Sequence, residues 1–181
     1  DKELFDYLKK NKIHYIVVDK ELLNKMTKEH HQGIVLEIED FQYSELEEIM
    51  KDNFLLMLDH LEDPHNLGAI IRSAEAAGIT GIILPKDRSV TVTDTVIKTS
   101  AGAINNLKIV KVTNLVDTIK KLQKENFFIY GADMEGTDIR EAKFAPKKVL
   151  VIGNEGKGIS KVVEKNCDEM IRIPMKGEIN S

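Results

Sequence analysis

The sequence has no tryptophan and a single cysteine in 181 residues, and its aromatic content is only 6%. One thiol, Cys167, excludes an internal disulfide, and with no second thiol and only scattered histidines there is no zinc-ligand pattern. Cys167 reads as a small buried hydrophobe. No apolar run approaches the roughly 18 residues of a membrane-spanning helix, and Asp1-Lys2-Glu3-Leu4-Phe5 has neither a basic stretch nor a signal-like apolar segment. A cytoplasmic protein is the default expectation. Excess positive charge is missing too: 26 Lys+Arg against 30 Asp+Glu give a formal net charge of −4, which argues against nucleic-acid binding through bulk electrostatics.

What is present describes an ordinary globular chain, 42% hydrophobic and 31% charged, long enough for one full domain and part of a second. The charge is unevenly spread. Residues 1–52 carry 8 Lys+Arg against 13 Asp+Glu, whereas residues 53–181 carry 18 against 17 and are near neutral. A polyanion would have to meet local clusters such as Lys86 with Arg88, Lys108 with Lys111, or Lys143 with Lys147 and Lys148. Each is as readily a solvated face.

In the first fifty residues Leu4, Phe5 and Leu8 share a helical face, His14-Tyr15-Ile16-Val17-Val18 predicts a strand, and Leu22, Leu23 and Met26 another short helix. His30-His31-Gln32-Gly33 is a polar turn leading into a strand, Ile34–Ile38. The paired histidines have no carboxylate or thiol at a ligand spacing, so no metal site is expected. An acidic segment, 40–50, places Leu46, Ile49 and Met50 on one helical face, and the boundary falls at about residue 52.

From Phe54 strands and helices alternate: strands at 54–58, 81–84, 109–112, 127–130, 149–152 and 170–173, helices at 66–77, 93–102, 115–125 and 160–165. That rhythm predicts an α/β fold with a mostly parallel sheet and helices on both faces. Val149-Leu150-Val151-Ile152 reads as a central strand, and it empties into Gly153-Asn154-Glu155-Gly156-Lys157-Gly158. The three glycines are read as positions for positive φ and for close approach of a ligand. Gly-x-x-Gly-x-Gly is neither the dinucleotide fingerprint nor a P-loop, and taken alone the turn is as readily a plain strand-to-helix connection. Beyond the first strand, Asp59, Glu62, Asp63, Pro64, His65 and Asn66 form a polar turn in which Asn66 is placed to cap the next helix. Ile70, Ile71, Ala74 and Ala77 make that helix's core face, so Arg72 points elsewhere, as a solvated or salt-bridged arginine ordinarily does. Ser100-Ala101-Gly102-Ala103 reads as small residues that permit close helix–sheet packing.

Three segments in order, Asn66-Leu67-Gly68-Ala69-Ile70-Ile71-Arg72, the glycine turn, and Ile173-Pro174-Met175-Lys176-Gly177-Glu178-Ile179-Asn180-Ser181, resemble the three motifs of the SpoU (TrmH-like) RNA ribose 2′-O-methyltransferases. The resemblance runs from about Phe54 to Ser181. A weaker one, carried by His31-Gln32-Gly33-Ile34, links residues 1–52 to the family's small RNA-binding domain. It implies a SPOUT-type fold with a C-terminal trefoil knot, preceded by a small, partial α/β domain of L30e-like type. Further implications are S-adenosylmethionine as cofactor, RNA as partner, ribosomal rather than transfer RNA, and a homodimer.

Carried over residue by residue, the resemblance puts Arg72, Asn66, Glu155 and Ser181 at the reacting centre. It gives the cofactor pocket to Gly131-Ala132-Asp133, to Gly153, Asn154 and Gly156, and to Ile173, Pro174 and Met175. Arg72 would hold an RNA phosphate; as a base a guanidinium, with a pKa above about 12, is poorly suited near neutrality. The family's third motif continues past its serine, so the expectation is that the polypeptide extends beyond Ser181. Two other readings stay open: an inactive RNA-binding or scaffolding relative of the same fold, and a small-nucleotide-binding α/β protein that rests on the glycine turn alone.

Overall fold

The computed structural model describes residues 2–27, 31–37 and 39–175, and the chain forms two compact units, Asp1–Asp40 and Phe41–Ser181. In the first, α1 (Lys2–Lys10) and α2 (Lys20–Met26) form as the apolar spacing predicts. Asp19 caps α2 by accepting from Leu22 N at 2.8 Å. Residues 14–18 and the described part of 34–38 form no strand: Ile16 and Val17 are 70% and 76% exposed, and no residue of either helix is buried. A β-branched run becomes a strand only where a neighbour takes up its backbone groups. His30 and Ile38 lie outside the described residues.

The second unit begins with a short helix, α3 (Leu46–Ile49), whose two end residues are buried in its core. The remaining elements are β1 (Phe54–Leu58), α4 (Pro64–Ala76), β2 (Gly81–Pro85), α5 (Asp94–Thr99), β3 (Lys108–Val112), α6 (Leu115–Lys124), β4 (Phe128–Asp138), β5 (Lys148–Ile152), α7 (Lys161–Glu164) and β6 (Glu169–Arg172). All strand pairings are parallel, in the order β3-β2-β1-β5-β4-β6. Alternate residues serve opposite faces. Leu55, Met57, Val149 and Val151 pack with α3, α6 and α7, whereas Leu56, Leu58, Ile82 and Leu84 pack with α4 and α5.

Three boundaries differ from expectation. The helix read at 93–102 stops at Thr99 and resumes as a 3-10 turn, Ala103–Asn106, because Ala101 and Gly102 both take positive φ. β4 runs on past Tyr130 to Asp138, since β6 pairs with it on both sides of a bulge between Ala132 and Thr137. α4 is capped by Asp63, which accepts from His65 N at 2.8 Å with Pro64 in the first turn, so Asn66 is not the cap. No helix among the described residues is long and apolar enough to cross a membrane.

Candidate active site

The strand order reverses between β1 and β5, and in an open parallel sheet the crevice beyond the carboxyl ends at such a point is where ligands bind. Here the structure joins two of the predicted residues. Asn66, on the first turn of α4, donates from Nδ2 to Glu155 Oε1 at 2.8 Å, across the end of the sheet. Capping by Asp63 is what frees the Asn66 amide for this contact.

The buried stripe of α4 is Leu67, Gly68, Ile71 and Ala74. Ile70, half-buried, packs against the same core, so of the predicted core face only Ala77, which is exposed, falls outside it. Ile70 and Ala77 also line, with Asn66, Ala69 and Ser73, a cavity of about 540 Å³ whose other wall includes Leu150, Ile152 and Glu155. Arg72 is exposed and sits six residues after Asn66, about 120° round the helix. It has no hydrogen-bond or ion-pair partner among the described residues, and it does not join the Asn66–Glu155 pair.

The glycine turn is a built structure. Asn154 and Gly158 exchange backbone hydrogen bonds at 3.0 and 2.9 Å. The Asn154 side chain accepts from Gly156 N at 2.9 Å and Lys157 N at 3.3 Å and donates to His60 O at 3.0 Å. Its amide is therefore spent on shaping the turn. Of the three glycines only Gly158 has positive φ; Gly153 is needed for close approach, since a Cβ there would lie 2.0 Å from the Gly158 carbonyl carbon.

A carboxylate that sequence reasoning did not single out anchors this turn. Asp59, at the end of β1 and 1% exposed, accepts from Ser160 N at 2.7 Å through Oδ2, while Oδ1 hydrogen-bonds His60 Nδ1. His60 itself takes φ 58. No local pattern marks Asp59, because its partner Ser160 is distant in sequence; the signal available was an acid directly after an apolar strand.

The three segments read as a cofactor pocket fall on adjacent strands. Register puts Gly131 between Val151 and Met170, and Ala132 against Ile171; Gly153 and 173–175 follow the carboxyl ends of β5 and β6, whereas 131–133 lie within β4 where its bulge begins. Gly131 is packed from the β6 side, where a Cβ would fall 2.6 Å from Met170 Sδ. Asp133 accepts from Glu135 N at 3.0 Å, and Ile173 and Met175 expose their side chains. Cys167, half-buried beside Gly131, has its thiol pushed up to about 12 by burial, with Asp168 adding to the shift. Ser181 lies outside the described residues.

Sequence comparison gives two family matches: the SpoU rRNA Methylase family over residues 53–181, and the RNA 2′-O ribose methyltransferase substrate-binding family over residues 1–44. A Staphylococcus aureus (strain MSSA476) protein assigned to the TrmH family tRNA/rRNA methyltransferases is 40% identical over 187 residues, covering 99% of this chain and 75% of its own length. A Bacillus subtilis protein with the same assignment is 37% identical with the same coverage. Among solved structures, the SpoU methyltransferase AviRb from Streptomyces viridochromogenes, in complex with AdoMet, superposes with a TM-score of 0.69 at 26% identity. That match covers 77% of this chain and 58% of AviRb, so the chain spans little more than half of that relative. The rRNA methyltransferase from Sinorhizobium meliloti shares the fold at a TM-score of 0.77 and 24% identity. With a match over most of the chain and a crevice that unites its first two motifs, the chain belongs to the SpoU family of RNA methyltransferases.

Proposed function

We propose that this protein transfers a methyl group from S-adenosylmethionine to a ribose 2′-hydroxyl of RNA, with ribosomal RNA as its substrate. The observation that carries the reading is the Asn66–Glu155 hydrogen bond, which holds the first and second motifs together at the mouth of the crevice. The cofactor supplies an electrophilic methyl on its sulfonium. Gly131, Ala132, Asp133, Gly153, Ile173, Pro174 and Met175 would hold it, because the bulge of β4 and the ends of β5 and β6 belong to three neighbouring strands and offer backbone groups next to exposed apolar side chains. Asn154 and Gly156 would contribute by fixing the turn.

In-line displacement needs alignment and a proton acceptor. Glu155 uses one carboxylate oxygen on Asn66 and keeps the other for a hydroxyl. Arg72, exposed and without a partner among the described residues, would clamp an RNA phosphate bidentately. Ser181 would complete the centre from the third motif. We assign residues 1–52 to a small substrate-binding domain and linker, of which 41–52 pack as part of the second unit, and catalysis to 53–181, and infer a knotted, homodimeric, cytoplasmic enzyme in keeping with the family.

The test is transfer of labelled methyl from S-adenosylmethionine to ribosomal and transfer RNA transcripts, followed by alkaline hydrolysis. Methylation of the 2′-oxygen removes the nucleophile that cleaves the neighbouring phosphodiester, so label should appear in an alkali-resistant dinucleotide from ribosomal RNA. Label in alkali-sensitive mononucleotides would refute ribose methylation, and RNA binding without transfer would favour the inactive relative.

A further inference from the structure

Beside the glycine turn lies a second recess of about 370 Å³, separate in its lining from the cavity at Asn66 and formed by Asp59, His60, Glu62, Arg88, Asn154, Lys157, Gly158 and Ser160. We propose that this recess is a subsite for one phosphodiester of the RNA backbone, held between Arg88 and Lys157. The inference rests on the reading of RNA as substrate and adds a contact separate from Arg72.

Its two cations come from loops at the carboxyl ends of β2 and β5, which flank β1 on either side. Exposed lysines and arginines are usually just solvated; what distinguishes these is how they are held. Arg88 sits at φ 51, a conformation uncommon for a non-glycine residue. The next two residues hold the loop in place: Ser89 Oγ and Val90 N both donate to Leu61 O, at 3.3 and 2.7 Å, tying the Arg88 loop to the segment after β1. Lys157 is carried on the turn that Asn154 closes, with its own N–H donated to Asn154 Oδ1. His60, the second non-glycine residue of the recess at positive φ, has its carbonyl fixed by the same asparagine.

The lining leaves its cations open and only one of its carboxylates. Formally Arg88 and Lys157 balance Asp59 and Glu62, but Asp59 is buried in the floor with both oxygens engaged, by Ser160 N and by His60 Nδ1. Glu62 has no partner among the described residues and is the one open carboxylate of the lining. Two cations beside one open carboxylate suit one phosphodiester rather than an extended polyanion track.

The experiment uses the full-length protein with Arg88→Gln, Lys157→Gln, the double variant, Lys157→Arg, and Lys120→Gln as a control on the exposed face of α6. Binding to a fluorescein-labelled single-stranded oligoribonucleotide is followed against salt, and methyl transfer to ribosomal RNA transcripts gives kcat and KM. The double variant should flatten the slope of log K against log[salt] by about 0.7, the value for one phosphate on a single strand. Its KM for RNA should rise at least about tenfold, as expected for a lost charge-assisted contact, with kcat close to wild type. Lys157→Arg should restore most of the affinity, and Lys120→Gln should change neither readout. An unaltered slope and KM in a double variant that keeps the wild-type melting temperature would overturn the subsite while leaving the methyltransferase reading intact. A fall in kcat alone would overturn it too, and wild-type protein that neither binds nor methylates RNA would remove both.

Discussion

Two carboxylates stand on either side of one glycine turn, and they are held in opposite ways. Asp59 is buried, with one oxygen on Ser160 N and the other on the His60 ring. Glu155 is exposed and gives a single oxygen to Asn66. A carboxylate removed from water is stable only when its lone pairs are taken up, and once they are, it has nothing left to offer a substrate. An exposed one with a free oxygen can accept a proton or orient a hydroxyl. The difference separates the group that builds the turn from the group that works at it.

The largest effect should come from the least engaged polar residue of α4. Arg72→Ala should lower methyl transfer more than about a thousandfold, equivalent to roughly 4 kcal/mol of transition-state stabilisation. Stability should change by no more than about 0.5 kcal/mol, since Leu67, Ile71 and Ala74 carry the packing. Arg72→Lys should be nearly as inactive if geometry rather than charge matters. Substantial transfer by the lysine variant would reduce the arginine to a point charge.

Next, Asp59→Ala should cost about 3 kcal/mol in urea unfolding, because Ser160 N and the His60 ring lose a buried partner together. A loss below about 1 kcal/mol would break the comparison at its structural end. Glu155→Gln should do the reverse. It keeps an acceptor for Asn66, so unfolding should be almost unchanged, while methyl transfer falls about tenfold through loss of the charge, or about 1.4 kcal/mol. Unfolding affected more than catalysis would show that Glu155, too, is chiefly structural.

A third carboxylate gives the smallest effect. Asp138 is held down to about 2 chiefly by hydrogen bonds from the Arg140 side chain and backbone, the guanidinium approaching at 2.6 Å. A depressed carboxyl contributes stability that is fully present above its unfolded pKa near 3.8 and is lost as pH falls toward 2. Replacing Asp138 with Asn should flatten the pH dependence of unfolding within that window and leave it alone above pH 5. The exposed arginine makes the effect weak and salt-sensitive.

These residues also show what can be read without coordinates. Val149–Ile152 and α4 were legible because an unbroken apolar run and a 3.6-residue stripe are local facts. His14–Val18 has much the same composition as a strand yet pairs with nothing among the described residues. Asn66 was legible as a site residue only through the motif resemblance; spacing alone proposed a cap that Asp63 in fact provides. The pairing of Asp59 with Ser160 and the extension of β4 were out of reach for one reason. Each depends on a partner that the chain meets only after folding, as β6 does for the residues beyond Tyr130.

The strand order has a consequence in time. β5 lies between β1 and β4, yet it is made after both, so Leu55 must wait for Val149 before its second edge is paired. Closing so long a loop costs entropy before any contact repays it, and parallel sheets of this kind fold slowly. Glu155 follows β5 directly. Asn66 is therefore made 89 residues before its partner, and the crevice is completed only when β5 pairs with β1.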